Sequence, residues 1–424
     1  MRRRQCLEKL LETKALGHGF NRVQTPIFES LELFTAKSGP GVIKQLYAFE
    51  DKSKRQLTLR PELTAPVMRM ISEELRSASK PLRLSYFGQC FRYEESKKGR
   101  YREFFQYGVE LIGAHGPLAE AEVIALAIDM LEASGLKGWE LRIGHVGILR
   151  EVLTAIGLAA EGEPESPVAS AMRFLDKGDW EGMEQLLETN GIDLSVIADL
   201  KALSALDGGK ETLGPAKTIL EQMNVDLDSF DQLSTLLDSI ELLAPTPPSL
   251  KVNLCVARGL DYYTGMVFEI HVDELGGEGQ ILGGGSYRLL HLFGLEDLDP
   301  SCGFGLGFDR VLLALEAQAA AEGRVEVVRG ESPAPSTLML PFRIESKHTL
   351  SIVKQLRDSG NNVEMDLRGK NIGKTLDWAG KNGFHNVIIV GPKDLENNSC
   401  SVKNILTGDQ NTTEFSADAI SSLL

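Results

Sequence analysis

The chain has no uninterrupted apolar run approaching the ~20 residues that a membrane-spanning helix needs, so a helical membrane protein is excluded. Its opening stretch, MRRRQCLEKLLETKALGHGF, carries basic residues, but Glu8, Glu12 and Lys14 interrupt any apolar core and no secretory signal is read there. Cysteine is sparse: Cys6, Cys90, Cys255, Cys302 and Cys400 are odd in number and contain no C-x-x-C. They fit incidental thiols in a reducing cytoplasm better than a disulfide framework or a zinc site. The seven histidines are equally dispersed, without an H-x-x-x-H, and no residue stands out as a metal ligand. Positive charge is also short. A net charge of −15 argues against bulk, non-specific nucleic-acid binding. The deficit is uneven, because residues 337–424 hold ten Lys/Arg against ten Asp/Glu while the remainder holds 35 against 50. A neutral tail on an acidic body is compatible with local rather than global contact to a nucleic acid. The rest of the composition, 42% hydrophobic and 25% charged over 424 residues, describes a globular chain of several domains.

The most informative stretch is Phe87 to Gly113, FGQCFRYEESKKGRYREFFQYGVELIG. β-rich, aromatic sequence flanks a polar centre from Glu94 to Gly99, the pattern of a long antiparallel hairpin with a charged tip. Arg92 closes the first strand, and Arg100 and Arg102 open the second. Guanidinium groups on a rigid hairpin suit a polyphosphate, since the planar fork bonds phosphate oxygens in pairs. Gln106, Gly108 and Glu110 are two apart and share one face of the returning strand. A solvated Arg/Glu face would read the same way, and the hairpin alone does not separate the two.

The segment FRYEESKKGRYREFFQYGVELIGA resembles motif 2 of the class II aminoacyl-tRNA synthetases in the form used by histidyl-tRNA synthetases. Other stretches carry the same resemblance. Residues 2–17 are predicted as an amphipathic helix with Leu7, Leu10 and Leu11 at helical spacing, and GFNRVQTPIFES after it resembles motif 1, the dimer-forming strand with its Pro26 break. Family members usually carry a short leader before that helix, and its absence here reads as a departure. In DKSKRQLTLRPELTAPVMRM a strand (Gln56 to Arg60) runs into Pro61 and a helix expected from Glu62 to near Ser79, with Pro61 in its first turn. Capping by Glu62 of the helix N-terminus is one reading. The resemblance of L-R-P-E-x-T-A implies another, that Glu62 and Thr64 hold the α-ammonium of an amino acid.

Further along, 117–134 is predicted as a helix, followed by a strand and a second helix to Ile156. From 157 to 248 Leu-, Glu- and Ala-rich helical segments alternate with polar turns. This reads as a helical insertion between two halves of one catalytic domain, which in the family clamps the acceptor stem of tRNA. The octet Arg258-Gly-Leu-Asp-Tyr-Tyr-Thr-Gly265 closely matches a signature of histidyl-tRNA synthetases. Gly259 and Gly265 permit tight turns, so that Arg258, Tyr262 and Tyr263 can enter a confined pocket, where Tyr263 offers an imidazole an aromatic wall and a hydroxyl. GGEGQILGGGSYR (276–288) is predicted as a glycine-rich strand edge open to a ligand. It keeps Tyr287 of the usual G-G-G-R-Y-D-G-L but departs at Ser286, Arg288 and Leu289, in the manner of an archaeal-type variant. CGFGLGFDRVLLAL (302–315) resembles motif 3, with Arg310 at a strand–helix junction and the glycines at 303, 305 and 307 leaving a face bare for adenine.

The fold so implied is α/β: a class II antiparallel sheet flanked by helices, a helical insertion, and a C-terminal α/β anticodon-binding domain. The expected division is 1–156 and 249–320 for the catalytic halves, 157–248 for the insertion, 321–336 for a Gly/Ser/Pro linker and 337–424 for the tail. Strand–helix alternation in the tail predicts a parallel sheet, with a basic cluster of Arg368, Lys370, Lys374 and Lys381 that is either a solvated helix face or a phosphate contact. The resemblance implies that Arg92 and Arg258 flank the ATP α-phosphate, that Arg100 and Arg310 take the β- and γ-phosphates, and that Tyr101 lies near the nucleotide, with Mg²⁺ bridging phosphate oxygens. It gives the α-ammonium to Glu62, Thr64 and Gln106, and the imidazole to Glu110 and Tyr263, with Tyr287 closing the pocket. ATP, histidine and histidine tRNA are the implied substrates of a cytoplasmic homodimer. The rival is a histidine-sensing regulatory subunit of ATP phosphoribosyltransferase, a paralogue that lacks the tail domain. A generic ATP-dependent ligase is weaker still, because it does not explain the octet.

Overall fold

The structure is a computed structural model that describes every residue except 36–43, 96–98, 159–165, 246, 256–262, 325 and 331–335, and the side chain of residue 176. Arg258 and Tyr262 therefore lie outside the described residues. The chain divides into two compact units, Met1–Gly330 and Glu331–Leu424.

In chain order the strands of the first unit are β1 (Asn21–Arg22), β2 (Phe28–Ser30), β3 (Tyr47–Glu50), β4 (Gln56–Leu59), β5 (Leu82–Phe91), β6 (Glu103–Ile112), β7 (Glu140–His145), β8 (Ser249–Val252), β9 (Tyr263–His271), β10 (Gln280–Tyr287) and β11 (Ser301–Gly307). Eight of them form one sheet in the order β1-β5-β6-β11-β10-β9-β7-β8, and β2-β4-β3 form a small second sheet. From β5 to β7 every pairing in the large sheet is antiparallel, and only β1 and β8 join in parallel at its margins. The hairpin β5–β6 pairs without slip from Leu82↔Ile112 to Phe91↔Glu103. One further bond, from the Arg92 N–H to the Arg102 carbonyl at 2.9 Å, carries the ladder to the charged tip.

One face of the sheet is covered by helices Arg2–Gly17, Pro117–Ser134 and Phe308–Glu322, which read as apolar stripes. Leu7, Leu11 and Ala15 of the first helix are fully buried, whereas Leu10 is only partly covered. Between residues 157 and 248 the chain is helical, with Pro167–Lys177, Trp180–Thr189, Val196–Ser204, Leu213–Gln222 and Asp228–Leu243. Their buried residues, including Met172, Leu187, Leu200, Leu233 and Ile240, belong to the same hydrophobic cluster as Leu126 and Trp139 beneath the sheet.

Three local expectations are corrected. The helix after Pro61 spans Thr64–Glu74, so Pro61 precedes its first turn and the helix stops five residues short of Ser79. Beyond the helix end the Lys80 ammonium donates to the carbonyls of Leu75, Arg76 and Ala78, satisfying acceptors that no further helical turn pairs. The glycine-rich β10 is an internal strand, paired to β11 on one side and β9 on the other, rather than an edge. In the second unit the strands are β12 (Ser336–Pro341), β13 (Asn362–Met365), β14 (Asn386–Val390), β15 (Ser399–Asn404) and β16 (Gln410–Glu414), in the order β13-β12-β14-β15-β16. The first three are parallel as expected, but β15 and β16 extend the sheet antiparallel. The connection from β14 to β15 carries only the five-residue helix Pro392–Glu396, too short for the crossover that parallel pairing needs.

Candidate active site

A cavity of about 330 Å³ opens along β6, β10 and β11. Its wall includes Glu62, Thr64, Arg92, Arg100, Tyr101, Gln106, Glu110, Tyr263, Tyr287 and Arg310, contributed by segments spread over some 250 residues of sequence. All ten were expected in the site from sequence, and one cavity holds them.

Its inner end is acidic and tyrosine-rich. Glu110, 1% exposed, points into the wall from β6. The Tyr86 hydroxyl donates to its Oε1 at 3.0 Å, and the Tyr287 hydroxyl donates to its Oε2. Burial pushes the Glu110 carboxyl up to about 8, against the two tyrosines that favour its charged form. Tyr86 was not read as a site residue. The register explains its reach: Tyr86 stands directly across from Gly108, and a Cβ there would collide with the Tyr86 phenol. Only a glycine lets the ring lean along β6 to Glu110. Thr64 closes the group, its hydroxyl 3.4 Å from that of Tyr86.

Glu62 does what capping predicts while also facing the cavity. Its carboxylate accepts the backbone N–H of Thr64 at 2.5 Å and of Ala65 at 3.0 Å. Desolvation raises its pKa, and those two amides work in the opposite direction. Gln106 is held by Cys90, whose thiol donates to its Oε1 at 3.3 Å. Tyr263 lines the cavity with its ring over Gly285, where a Cβ would lie 3.0 Å from two ring carbons.

The outer end is cationic and more open. Arg92 donates from Nε to the Pro61 carbonyl at 2.9 Å, with its guanidinium 5.3 Å from the Phe104 ring centre. Arg310 donates to the carbonyls of Gly99 and Gln280 at 2.9 and 2.7 Å and pairs with Glu278 at 2.9 Å. Arg100 sits between Glu94 at 3.1 Å and Glu278 at 3.2 Å. Neither carboxylate was singled out from sequence. Glu278 comes from a short 3₁₀ turn (Asp273–Glu278), a position with no motif to mark it. Arg102, by contrast, lies over the Tyr93 ring at 4.4 Å and does not line the cavity.

Behind Arg310, Asp309 ties the junction together. It accepts the Phe105 N–H at 2.7 Å and pairs with Arg4 of the first helix. Two expectations about glycines change. A Cβ on Gly303 would collide with the Glu110 carboxylate, so Gly303 lines the cavity with Gly305 and Gly307 but its bare face houses Glu110. In β10 the space over Gly284 is filled by Phe304 and Phe268 and that over Gly285 by Tyr263, which leaves Gly283 alone on the cavity.

An antiparallel sheet with a motif-2 hairpin, a glycine-spaced motif-3 strand running into an arginine-bearing helix, and one cavity between them defines a class II aminoacyl-tRNA synthetase architecture. Comparison with known proteins narrows this. A family model described as histidyl-tRNA synthetase matches residues 1–311, and one described as an anticodon binding domain matches 342–421. The chain is 41% identical over 410 residues to a histidine–tRNA ligase of Archaeoglobus fulgidus, covering 97% of this chain and 93% of that one. Its fold is similar to a crystal structure of histidyl-tRNA synthetase from Nostoc sp. PCC 7120, with a TM-score of 0.80 at 22% identity, covering 99% of this chain and 95% of that one. It is also similar to the structure of an ATP phosphoribosyltransferase regulatory subunit/histidyl-tRNA synthetase from Bacillus halodurans C, with a TM-score of 0.73 at 25% identity, covering 92% of this chain and 94% of that one. The chain belongs to the histidyl-tRNA synthetase family.

Proposed function

We propose that this chain is a histidine–tRNA ligase that activates histidine with ATP and passes the histidyl group to the 3′ end of histidine tRNA. The observation that carries this reading is the single cavity, acidic and tyrosine-rich at one end and arginine-rich at the other, along one sheet. Activation is attack of the amino-acid carboxylate on the α-phosphate, and both partners are anionic. The site must hold them together and neutralise charge growing on the phosphoryl oxygens.

In this assignment Arg92 and Arg258 flank the α-phosphate, with Arg258 the main stabiliser of the transition state. Arg100 and Arg310 take the outer phosphates, and Tyr101, on the cavity rim, lies near the nucleotide. Arg100 is exposed and shares Glu278 with the more buried Arg310, so phosphate oxygens that replace that carboxylate keep both guanidinium groups paired. Glu62, Thr64 and Gln106 hold the α-ammonium. Glu110 and Tyr263 read the imidazole, and Tyr287 and Tyr86 keep Glu110 oriented. Tyr262 of the signature octet completes the pocket. Polar groups held at fixed positions favour an imidazole, which can bond them, over an apolar competitor, which cannot.

Among the described residues no cluster of three or more His, Cys, Asp or Glu could hold a metal alone. Glu94 and Glu278, which converge on Arg100, are a donor set that fits Mg²⁺, an ion commonly bound by one or two carboxylates together with substrate phosphates. Bound there, Mg²⁺ would neutralise charge on the polyphosphate. The tail unit is assigned to the anticodon, with Lys370 and Lys374 exposed for phosphate contact and Lys381 paired to Asp377 at 3.0 Å. We assign the protein to the cytoplasm as a homodimer; among the described residues no helix is long and apolar enough to cross a membrane.

A regulatory role is the second reading, favoured by the likeness in fold to the Bacillus halodurans ATP phosphoribosyltransferase regulatory subunit/histidyl-tRNA synthetase. Amino-acid-dependent ATP–pyrophosphate exchange, screened over all twenty amino acids with Mg²⁺, separates the two. Exchange with histidine alone is expected. Histidine binding without exchange supports the regulatory reading, and exchange with another amino acid overturns the pocket assignment.

A further inference from the structure

On the face of the sheet opposite the cavity lies a buried polar group that the chemistry above leaves unused. Glu120, on the Pro117–Ser134 helix, is 4% exposed. The Ser286 hydroxyl donates to its Oε1. Its Oε2 has no partner. His145, 5% exposed, stands across from Met266 on the other side, with an unpartnered Nδ1. A carboxyl group without a cation in such a place is expensive, so the fold gains something by keeping it.

The strand register shows what it gains. From Leu282 to Gly285, β10 pairs with β9 in step, ending at Gly285↔Val267. The next pair is Tyr287↔Tyr263, so residues 264–266 stand opposite Ser286 alone. This is a bulge, and a bulge leaves backbone groups of the longer strand without ladder partners. Glu120 sits against it. A Cβ on Gly265 would lie 3.3 Å from Ser286 Cβ, 3.5 Å from Glu120 Oε1 and 3.6 Å from His145 Nε2. The φ of Gly265 is not positive, so this glycine is needed for close approach rather than for a turn, the reason expected from sequence. Because successive residues alternate faces, the bond made by Ser286 on the far side fixes Tyr287 on the cavity side. The bulge in turn places Tyr263 opposite it.

We propose that Glu120 is a positioning residue for amino-acid recognition: by bonding Ser286 and packing against Gly265 it holds the β9 bulge, and so sets Tyr263 across from Tyr287. The proposal rests on the assignment of those tyrosines to the histidine pocket. No side chain of this cluster lines the cavity, so its effect travels only through β9 and β10.

The test is steady-state pyrophosphate exchange on the full chain, with wild type, Glu120→Ala, Glu120→Gln and Ser286→Ala, varying histidine and ATP separately. Glu120→Ala is expected to raise the KM for histidine about tenfold, the scale of a sub-ångström misplacement of a recognition group. The KM for ATP and kcat should stay within about twofold, and Glu120→Gln, which retains an acceptor for Ser286, should restore most of the loss. If Glu120→Ala does not fold, Ser286→Ala carries the same expectation. An unchanged histidine KM, or an equal rise for histidine and ATP, overturns the proposal. Absence of histidine-dependent exchange in wild type overturns the functional reading itself, and this inference with it.

Discussion

The two ends of the cavity are built on different principles. At the inner end Glu110 is 1% exposed and Tyr287 2%, and their hydrogen bonds are already made. At the outer end Arg100 and Glu278 keep 42% and 23% of their side chains exposed and hold one another by ion pairs. Surface ion pairs are worth about 0–1 kcal/mol and exchange readily. Leaving a buried polar group without its partner costs about 1–3 kcal/mol. The inner end can therefore discriminate, because its groups are fixed in place by their own partners and an occupant that displaces one of them bears that cost. The outer end can let ATP in and pyrophosphate out, because its arginines trade one set of oxygens for another at little cost.

The largest blow to this contrast would come from the signature octet. Arg258→Ala should lower pyrophosphate exchange by about 10²–10³, the usual loss for one transition-state donor, with the melting temperature kept. An unchanged rate would sink the role given to Arg258. Next in size is Tyr86→Phe, which removes one donor from Glu110 at 3.0 Å. The KM for histidine should rise about tenfold and that for ATP should not move. A shared rise would mean that the two ends are not separable. Glu278→Gln should act only at the outer end, raising the Mg²⁺ needed for half-maximal exchange about threefold. An unaltered Mg²⁺ requirement would reduce Glu278 to a tether for the arginines.

The smallest effect sharpens the contrast through pH. Glu110 sits at about 8 against an ordinary 4.5, so between those values the folded chain holds a proton that the unfolded chain has released. Its share of stability is complete below pH 4.5, falls as pH rises through the window, and is exhausted above 8. Melting temperatures at pH 5.5 and 7.5 (roughly the middle of that window) should therefore drop more in wild type than in Glu110→Gln. Parallel curves would show that Glu110 is ionised when folded.

Much of this site was legible from local pattern. Gln106, Gly108 and Glu110 share a face because a strand alternates, and the hairpin β5–β6 keeps that alternation in register throughout. What local pattern missed came from elsewhere in the chain. Tyr86 becomes a partner of Glu110 only once the register sets it across from Gly108. Glu278 meets Arg100 and Arg310 only because β10 brings its preceding turn to the hairpin tip. The glycines were misjudged for the same reason. At 284, 285 and 303 the missing Cβ makes room for Phe304, Tyr263 and Glu110, and those neighbours are far away in sequence.

By itself the sequence determined which residue types were present, their periodicity, and the motif resemblances that mark a class II synthetase. These follow from spacing along one strand or helix, which fixes facing within a turn or a pleat. Tertiary structure alone decided which of those faces meet. Burial of Glu110 beneath Gly303, the pairing of Glu278 with two arginines, and the seating of Glu120 at the β9 bulge are contacts across the sheet or between layers. Each depends on strand order and register, which no local window contains.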